Sequence, residues 1–591
     1  MRRAHVAAAN ARLSARFGDG FEVRLKRLFE VQLRHPDRPP EVRRVLAKSV
    51  GWGWLGYHAY LAAARLADFV PPLVGLRHGI LFTEWIGEPA REEPHPDAAD
   101  IAAVVPSYVA ARAARLRLVT DPGSAGASYP APGRETLATV LAHSYGPYLR
   151  RLMTGRLSAR LQRALSCRPS LVDGRMGPEE WLRCERRIYK VDFEHHNFGG
   201  GQPNIVDPGY DLAAAVHELA LGAEDERHLL ASYVALCGDE GVRSRLLAYK
   251  LLCGISAMAA VTYWIGRVPM ERREKLNRRY NAARDFLVFQ MSRHCAESFG
   301  PGARTGWSNR LFFLDLDGVF DFEFFGPFFQ HTTPSGLSAL RLLKAHGYAV
   351  VINSGRSVKH VRDYCRNYAL PGGIGEYGSV FVDAVRQREQ PLVDGEAREQ
   401  LARCREALRR LPDVYLDPGY EWAVRAYRYG GATTLGLSAP ELEDVVSAFD
   451  RLSFVARHAD SYIVQKGANK GSAFAAVKER IAGVTAPVVA IGDSVEDIAM
   501  LEQADIAYVP GNFPKELLAR LSGSKYRAVR EPLQRGLLAA VRDLTRGEAA
   551  EDTGPSSGLR RTGADGLIDA VLRAADRRQL VRALDLLLNR A

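Results

Sequence analysis

The chain has 591 residues, too many for a single hydrophobic core, so at least two domains are expected. Apolar residues make up 47% and charged residues 25%, ordinary values for a globular protein. Lys and Arg outnumber Asp and Glu by 80 to 68, but the excess is mostly arginine spread along helical segments, which argues for a solvated basic surface rather than a nucleic-acid groove. Seven scattered cysteines without a CxxC pair argue against a disulfide framework or a structural zinc, and for a reducing cytoplasm. The N-terminus, MRRAHVAAANARLSARFGDG, lacks a sustained apolar run, so no secretory signal is expected. The most apolar stretch, 251–266, is short for a membrane span and reads as a buried core helix.

Taken in chain order, the first half offers RRVLAKSV, which puts Lys48 on an apolar strand, and then a helical segment, LGYHAYLAAARLADF. GILFTEWIG (79–87) reads as a strand running into a hinge that includes Glu84 and Ile86. YKVDFEHHNFGGGQPNIVD (189–207) places Asp192 and Asn197 five residues apart, then a glycine turn, then a strand ending on Asp207. Helical segments fill 211–294. In this order the elements resemble the aminoglycoside-phosphotransferase and choline-kinase-like family, over roughly 20–295.

That resemblance implies a two-lobed α+β fold with a helical C-terminal lobe. It implies that Asp192 accepts the acceptor hydroxyl's proton, that Asn197 and Asp207 hold Mg²⁺, and that Lys48, Glu84 and Ile86 bind ATP or GTP. The sequence departs from the family at several points. Lys190 stands where the catalytic loop has histidine, His58 stands where the helix has glutamate, and FGDG (17–20) is a poor glycine-rich loop. Both an active small-molecule kinase and a degenerate nucleotide- or ligand-binding regulator are consistent with this pattern. No GxxxxGK[ST] occurs, which weighs against a polynucleotide kinase–phosphatase.

ESFGPGARTGWSNR, around 297–308, reads as a linker between the halves. Beyond it, RLFFLDLD, YAVVINSGR and APVVAIGDS are apolar runs that end on polar residues, separated by segments of helical periodicity. This is the pattern of a parallel α/β sheet, whose ligand site lies beyond the carboxyl ends of the strands. Asp315, Asp317, Ser354 and Asp493 all arrive at that edge. Converging carboxylates repel one another, and a hard divalent cation such as Mg²⁺ removes the conflict.

DLDGVFD (315–321), NSGR (353–356), NKG (469–471) and GDSVED (492–497) resemble, in order, the four motifs of the haloacid-dehalogenase-like phosphohydrolases, over about 309–545. The resemblance implies a Rossmann-like α/β domain in which Asp315 is the nucleophile and Asp317 the general acid and base. It implies that Ser354, Gly355 and Arg356 hold the phosphoryl group and that Lys470 neutralises it. Asp315, the main-chain carbonyl of Asp317 and Asp493 would build the Mg²⁺ site, with Asp497 supporting the metal shell or Lys470.

The insert at about 358–460 occupies the position of the α/β cap of the Cof and sugar-phosphatase-like subgroup. A roofed site favours a small phosphorylated metabolite, with Glu376 and Tyr377 as candidate substrate contacts. Residues 546–563 read as a second linker, and 564–591 as a helical tail with apolar residues at helical spacing. The expected protein is cytoplasmic, with nucleoside triphosphate and phosphometabolite as partners and neither nucleic acid nor membrane; homo-oligomerisation is left open.

Overall fold

The computed structural model describes residues 2–19, 25–35, 37–87, 95–120, 132–165, 168–194, 205–304, 306–322, 331–431, 433–481, 483–519, 521, 523–548 and 561–577. The chain divides into two compact units. The first comprises Met1–Thr139, Thr154–Ser256 and Thr562–Leu567, and the second comprises Val140–Met153, Ala257–Arg561 and Ile568–Ala591.

In the first unit, the helix Arg2–Asp19 precedes a four-stranded antiparallel sheet ordered Lys26–His35, Arg38–Ser49, Ile80–Glu84, Leu73–Arg77. Phe17, Gly18 and Asp19 are thus the last turn of a helix and not a phosphate-cradling loop, and Gly20 lies outside the described residues. The helix Trp54–Arg65 buries Ala59, Ala62 and Ala63, small side chains that permit close packing. A hairpin of Trp181–Cys184 and Arg187–Lys190 leads to Asp192. Helices Ala98–Arg115, Gly209–Glu218 and Ala223–Cys237 pack together. Asp97 caps the first of these by accepting from the Asp100 N–H. The helix Leu246–Trp264 is long and apolar enough to cross a membrane, and 67% of its apolar window is buried.

The second unit is built on an eight-stranded sheet ordered Arg388–Pro391, Val380–Asp383, Gly372–Gly375, Tyr348–Asn353, Arg310–Leu314, Val489–Ile491, Ile506–Val509, Tyr526–Ala528. The six strands from Gly372–Gly375 to Tyr526–Ala528 run parallel. Arg310–Leu314 and Tyr348–Asn353 are buried almost throughout, as unbroken apolar strands in a sheet covered on both faces must be. Phe313, Phe474, Val351, Ala490 and Leu501 share one core. A separate sheet, Tyr415–Leu416, Val424–Gly430, Ser461–Gln465 and Leu452–Ala456, packs its own core against the helices Gly395–Arg409 and Ala439–Val446.

Two expected boundaries move. The helix Val358–Asn367 and the three strands after it belong to the main sheet, so the insert begins beyond Pro391 and includes Ser461–Gln465. The helix Met270–Phe299, expected to close the first domain, belongs to the second unit. Its first half holds the insert: Asn277 Nδ2 donates to Leu416 O at 2.7 Å, Asn281 Nδ2 donates to Tyr427 Oη at 2.7 Å, and Arg284 pairs with Asp417 at 2.8 Å. Its second half holds the main sheet: Asp285 pairs with His360 at 2.9 Å, and Ser292 Oγ accepts from Asn367 at 2.7 Å. One 30-residue helix therefore straps the insert to the body of the unit. Of the tail, Gly563–Arg577 is helical, and residues 578–591 lie outside the described residues.

Candidate active site

The strand Arg310–Leu314 hands its last turn of backbone to Asp315, whose N–H donates to Ile491 O on the neighbouring strand. Asp315 is 2% exposed and accepts from Lys470 Nζ at 2.6 Å. Lys470 opens the helix Lys470–Arg480, where Asn469 caps the N-terminus by accepting from the N–H groups of Gly471 and Ser472. The same ammonium reaches Asp497 at 2.6 Å. Asp497 in turn gathers the Asp493 N–H, the Ser494 N–H and the Ser494 hydroxyl, and so shapes the loop that presents Asp493.

Oxygens of Asp315, Asp493 and Asp497 lie within 4.8 Å of one another. Burial, then repulsion from Asp497, pushes Asp315 well above the usual carboxylate range. The same two causes push Asp493 up to about 7. Burial alone would lower Lys470, and Asp315 and Asp497 more than reverse it. Three acids around one ammonium, all oxygen donors, fit a hard divalent cation such as Mg²⁺. Asp315 and Asp493 would be its direct carboxylate ligands, while the oxygens of Asp497 already accept four hydrogen bonds. Gly318, at φ +89°, permits the close approach, since a Cβ there would stand 2.0 Å from Asp493 Oδ2. Asn512 completes the corner by donating to Asp493 Oδ2 at 2.6 Å and to Gly318 O at 3.1 Å.

Asp317 faces the other way. Arg356 grips it with two bonds, Nη2 to Oδ1 at 2.6 Å and Nε to Oδ2 at 3.1 Å. Burial works to raise Asp317, yet this guanidinium outweighs it and holds the group below its ordinary value. Arg356 also donates to Asp321 at 3.0 Å and to Tyr364 Oη at 2.8 Å, and Tyr364 donates to Asp321. Arg356 was expected to bind phosphate. The structure instead places its guanidinium on two carboxylates, because a buried arginine must be paired. Ser354 ends the strand Tyr348–Asn353, and its Oγ accepts from the Arg356 N–H at 3.2 Å. Gly355 lies under the ring of Tyr377, where a Cβ would come within 2.4 Å of it.

Glu376 and Tyr377 both adopt left-handed φ, 53° and 56°, in the sharp turn of GEYGS. Glu376 is fully buried and accepts from four backbone N–H groups, those of Val358, Glu421, Trp422 and Ala423. Burial still pushes it up to about 7. It is thus a buried staple between the body and the insert, and the expected substrate contact is corrected to that role. Tyr377 Oη accepts from Arg457 of the insert at 3.0 Å.

In the first unit, Lys48 is buried and pairs with Asp192 at 2.5 Å and Glu194 at 2.8 Å, so no partnership with His58 is needed to hold it. Lys26 takes the second oxygen of Asp192 at 2.5 Å. A carboxylate held between two ammonium groups is a poor proton acceptor, which counts against the expected base. Asp207 is also corrected. Arg245 binds both of its oxygens, at 3.0 and 3.3 Å, and the Gly209 N–H donates at 2.8 Å, so it serves the fold rather than a metal. Burial pushes Asp207 up to about 6. Lys190 is buried against Glu180 at 3.2 Å and Asp173 at 3.4 Å. Glu84 sits in its strand, with its side chain on Arg43 at 3.0 Å, and Ile86 is half-buried just past the strand's end. Asn197 lies outside the described residues.

Residues 443–522 match the haloacid dehalogenase-like hydrolase family. The match lies within the second unit. The segment matched contains Lys470, Asp493 and Asp497. Among solved structures, a Thermoplasma acidophilum protein is similar at 14% identity, covering 40% of this chain and 97% of its own, with a TM-score of 0.33. The sucrose-phosphatase of Synechocystis sp. PCC6803, in complex with sucrose and phosphate, is similar at 15% identity, covering 40% and 98%, with a TM-score of 0.30. A Bacteroides thetaiotaomicron protein described among phosphatases of the haloalkanoate (HAD) superfamily is similar at 17% identity, covering 41% and 96%, with a TM-score of 0.30. No curated protein sequence matches the chain.

Asp315, Lys470 and Asp493, which the local motifs singled out, are brought together in the structure. Asp321 stood in DLDGVFD and could have been read as a third acid needing a partner. Tyr364, Asn512 and Glu194 carry no local signal, because only the fold brings them to their sites.

Proposed function

We propose that the second unit is a Mg²⁺-dependent phosphatase acting on a small phosphorylated metabolite, such as a sugar or polyol phosphate, through an aspartyl-phosphate on Asp315. The single observation that carries this is the buried carboxylate of Asp315 at a strand end, bonded to Lys470 and flanked by Asp493 and Asp497 within 4.8 Å. An Oδ of Asp315 attacks phosphorus, the ester bond to the alcohol breaks, and the alcohol leaves with a proton from Asp317. Asp317 then takes a proton from water as that water attacks the aspartyl-phosphate, releasing inorganic phosphate and restoring Asp315. Because Arg356 holds Asp317 ionised, the acid role requires that pair to loosen when substrate enters. Lys470 offsets the charge of the phosphoryl oxygens, and the bound cation would supply the rest of that stabilisation. The insert excludes water and bulky esters. Phosphate release from a panel of sugar, polyol and protein phosphates, with and without Mg²⁺, tests the reading. Faster turnover of a phosphorylated oligonucleotide or protein than of any small ester would overturn it.

For the first unit, one observation favours a nucleotide-binding regulator over an active kinase. Both oxygens of Asp192 are taken up by Lys26 and Lys48. A lysine and a carboxylate side by side fit a nucleoside triphosphate with Mg²⁺, ATP or GTP, whereas Asp192, held by two ammonium groups, is a poor base for an acceptor. Calorimetry on the full chain with either nucleotide tests it, and transfer of phosphate to a small alcohol would restore the kinase reading.

A further inference from the structure

One end of the four-stranded sheet in the first unit leaves a group of apolar side chains exposed. Leu25 O accepts from the Ser49 N–H at 2.9 Å, Ser49 pairs with Ile80, and the Gly79 carbonyl accepts from the N–H groups of Val50 and Gly51 at 2.8 and 3.2 Å. The chain entering the first strand, the turn after the second, and the turn between Leu73–Arg77 and Ile80–Glu84 therefore meet. Over that junction the ring of Trp52 lies 5.9 Å from that of His78, and Leu55 lies against Gly51. Leu25, Trp52, Leu55 and Ile80 are 58, 72, 37 and 37% exposed. Val50 and Leu81, beside them in the same turn and strand, are buried. The outward side chains thus stand on a packed base, and an exposed apolar cluster of this kind marks an interaction surface.

Charge and shape say what kind of partner it fits. Residues 42–83 hold five Lys and Arg against one acid, Asp68, which Arg115 takes up at 2.7 Å. Arg77 in the second turn and Arg27, two residues after Leu25, are exposed and pair with no carboxylate among the described residues. The patch is therefore complementary to an anionic partner. It is built on two turns and the start of a helix, so it is a tip, whereas a peptide is taken up by a groove or a sheet edge. Tyr57 and Tyr60 follow on the outward side of the helix Trp54–Arg65, one and two turns in. Leu and Ile at the tip, Trp and Tyr beside them and arginine around them match the layering of hydrocarbon, interface and charged headgroup.

We propose that this end of the first unit is a peripheral membrane-binding surface that seats on an anionic lipid bilayer. Trp52 and its apolar neighbours enter the boundary between headgroups and acyl chains, and Arg27 and Arg77 meet the lipid phosphates. The surface lies wholly in the first unit and does not depend on the phosphatase reading. The expectation of no membrane partner came from hydropathy along the chain. A patch drawn from three separate stretches leaves no apolar run there to register.

The test is co-sedimentation of the full chain with vesicles of phosphatidylcholine alone, and of phosphatidylcholine mixed with phosphatidylglycerol, at low and at high salt. The wild-type chain should bind the anionic vesicles in preference to the neutral ones, and more weakly as salt rises. Trp52→Ala should lower the partition coefficient roughly tenfold or more, the worth of a large apolar side chain withdrawn from lipid. Arg77→Glu should remove most of the preference for anionic vesicles. Both side chains are exposed, so both variants should keep the wild-type circular dichroism spectrum. No sedimentation with anionic vesicles, equal binding to neutral and anionic vesicles, or binding that Trp52→Ala leaves unchanged would each overturn the proposal. So would a dimer in sedimentation velocity that Trp52→Ala dissolves, which would give the surface to a second copy of the chain.

Discussion

Lys470 and Lys48 are both 5% exposed, and each is held by two carboxylates at 2.5 to 2.8 Å. What surrounds them differs. Around Lys48, among the described residues, Lys26 joins it against Asp192 and Glu194, and the next acid along, Asp207, is closed off by Arg245. Around Lys470 three carboxylates face one ammonium, and two negative charges remain. A buried cluster in which each carboxylate has a cation is stable without an added metal. A cluster short by two positive charges, with Asp315 and Asp493 pushed toward their neutral forms, fits a divalent partner. The sequence shows a lysine and aspartates in both halves, and only the count of neighbouring charges separates them.

The comparison can be broken first at the nucleophile. Asp315→Asn should lower phosphate release by about 10⁴-fold or more, as loss of a covalent nucleophile does, with an unchanged circular dichroism spectrum. Removing the lysines should separate the sites. Lys48→Met leaves Glu194 buried beside the Asp192–Lys26 pair and should destabilise the first unit by about 3 kcal/mol in denaturant titration, with Mg²⁺ giving no relief. Lys470→Met should cost a similar amount without metal and recover in part with Mg²⁺, because the cation takes over part of the missing charge. Equal responses of the two variants to Mg²⁺ would erase the distinction drawn here. Asp493→Asn should raise the Mg²⁺ concentration needed for half-maximal activity by about tenfold or more. The smallest effect concerns the strap. Asn277→Ala removes a donor from Leu416 O and an acceptor from the Tyr427 and Tyr429 hydroxyls, at a cost of about 1–3 kcal/mol. Faster hydrogen exchange over 413–429 should report it, and unchanged exchange there would remove the strap from the account.

Asp315, Lys470 and Asp493 could be singled out from sequence because each stands at a strand or helix end, where an apolar run stops on a polar residue. Arg356 was legible as part of NSGR but not in its role, since the acids it grips lie on another strand's loop. Glu376 was misread for the same reason: its four donors are backbone groups from 358 and 421–423, and backbone donors leave no trace in composition. The helix Met270–Phe299 looked like an extension of the helical first half, because helical periodicity states that a face is buried and not which unit buries it. Asp192 and Asn197 matched a spacing, and spacing could not foresee two lysines closing on Asp192.

The central claim is that Asp315 becomes covalently phosphorylated. Acid quenching of the full chain during turnover of its best small ester with Mg²⁺, followed by peptide mass spectrometry, tests this directly. The account predicts the added mass of one phosphoryl group on the peptide containing Asp315, absent from Asp315→Asn and from samples treated with chelator. Steady phosphate release with no phosphorylated Asp315 peptide, or with the label on another residue, would contradict it.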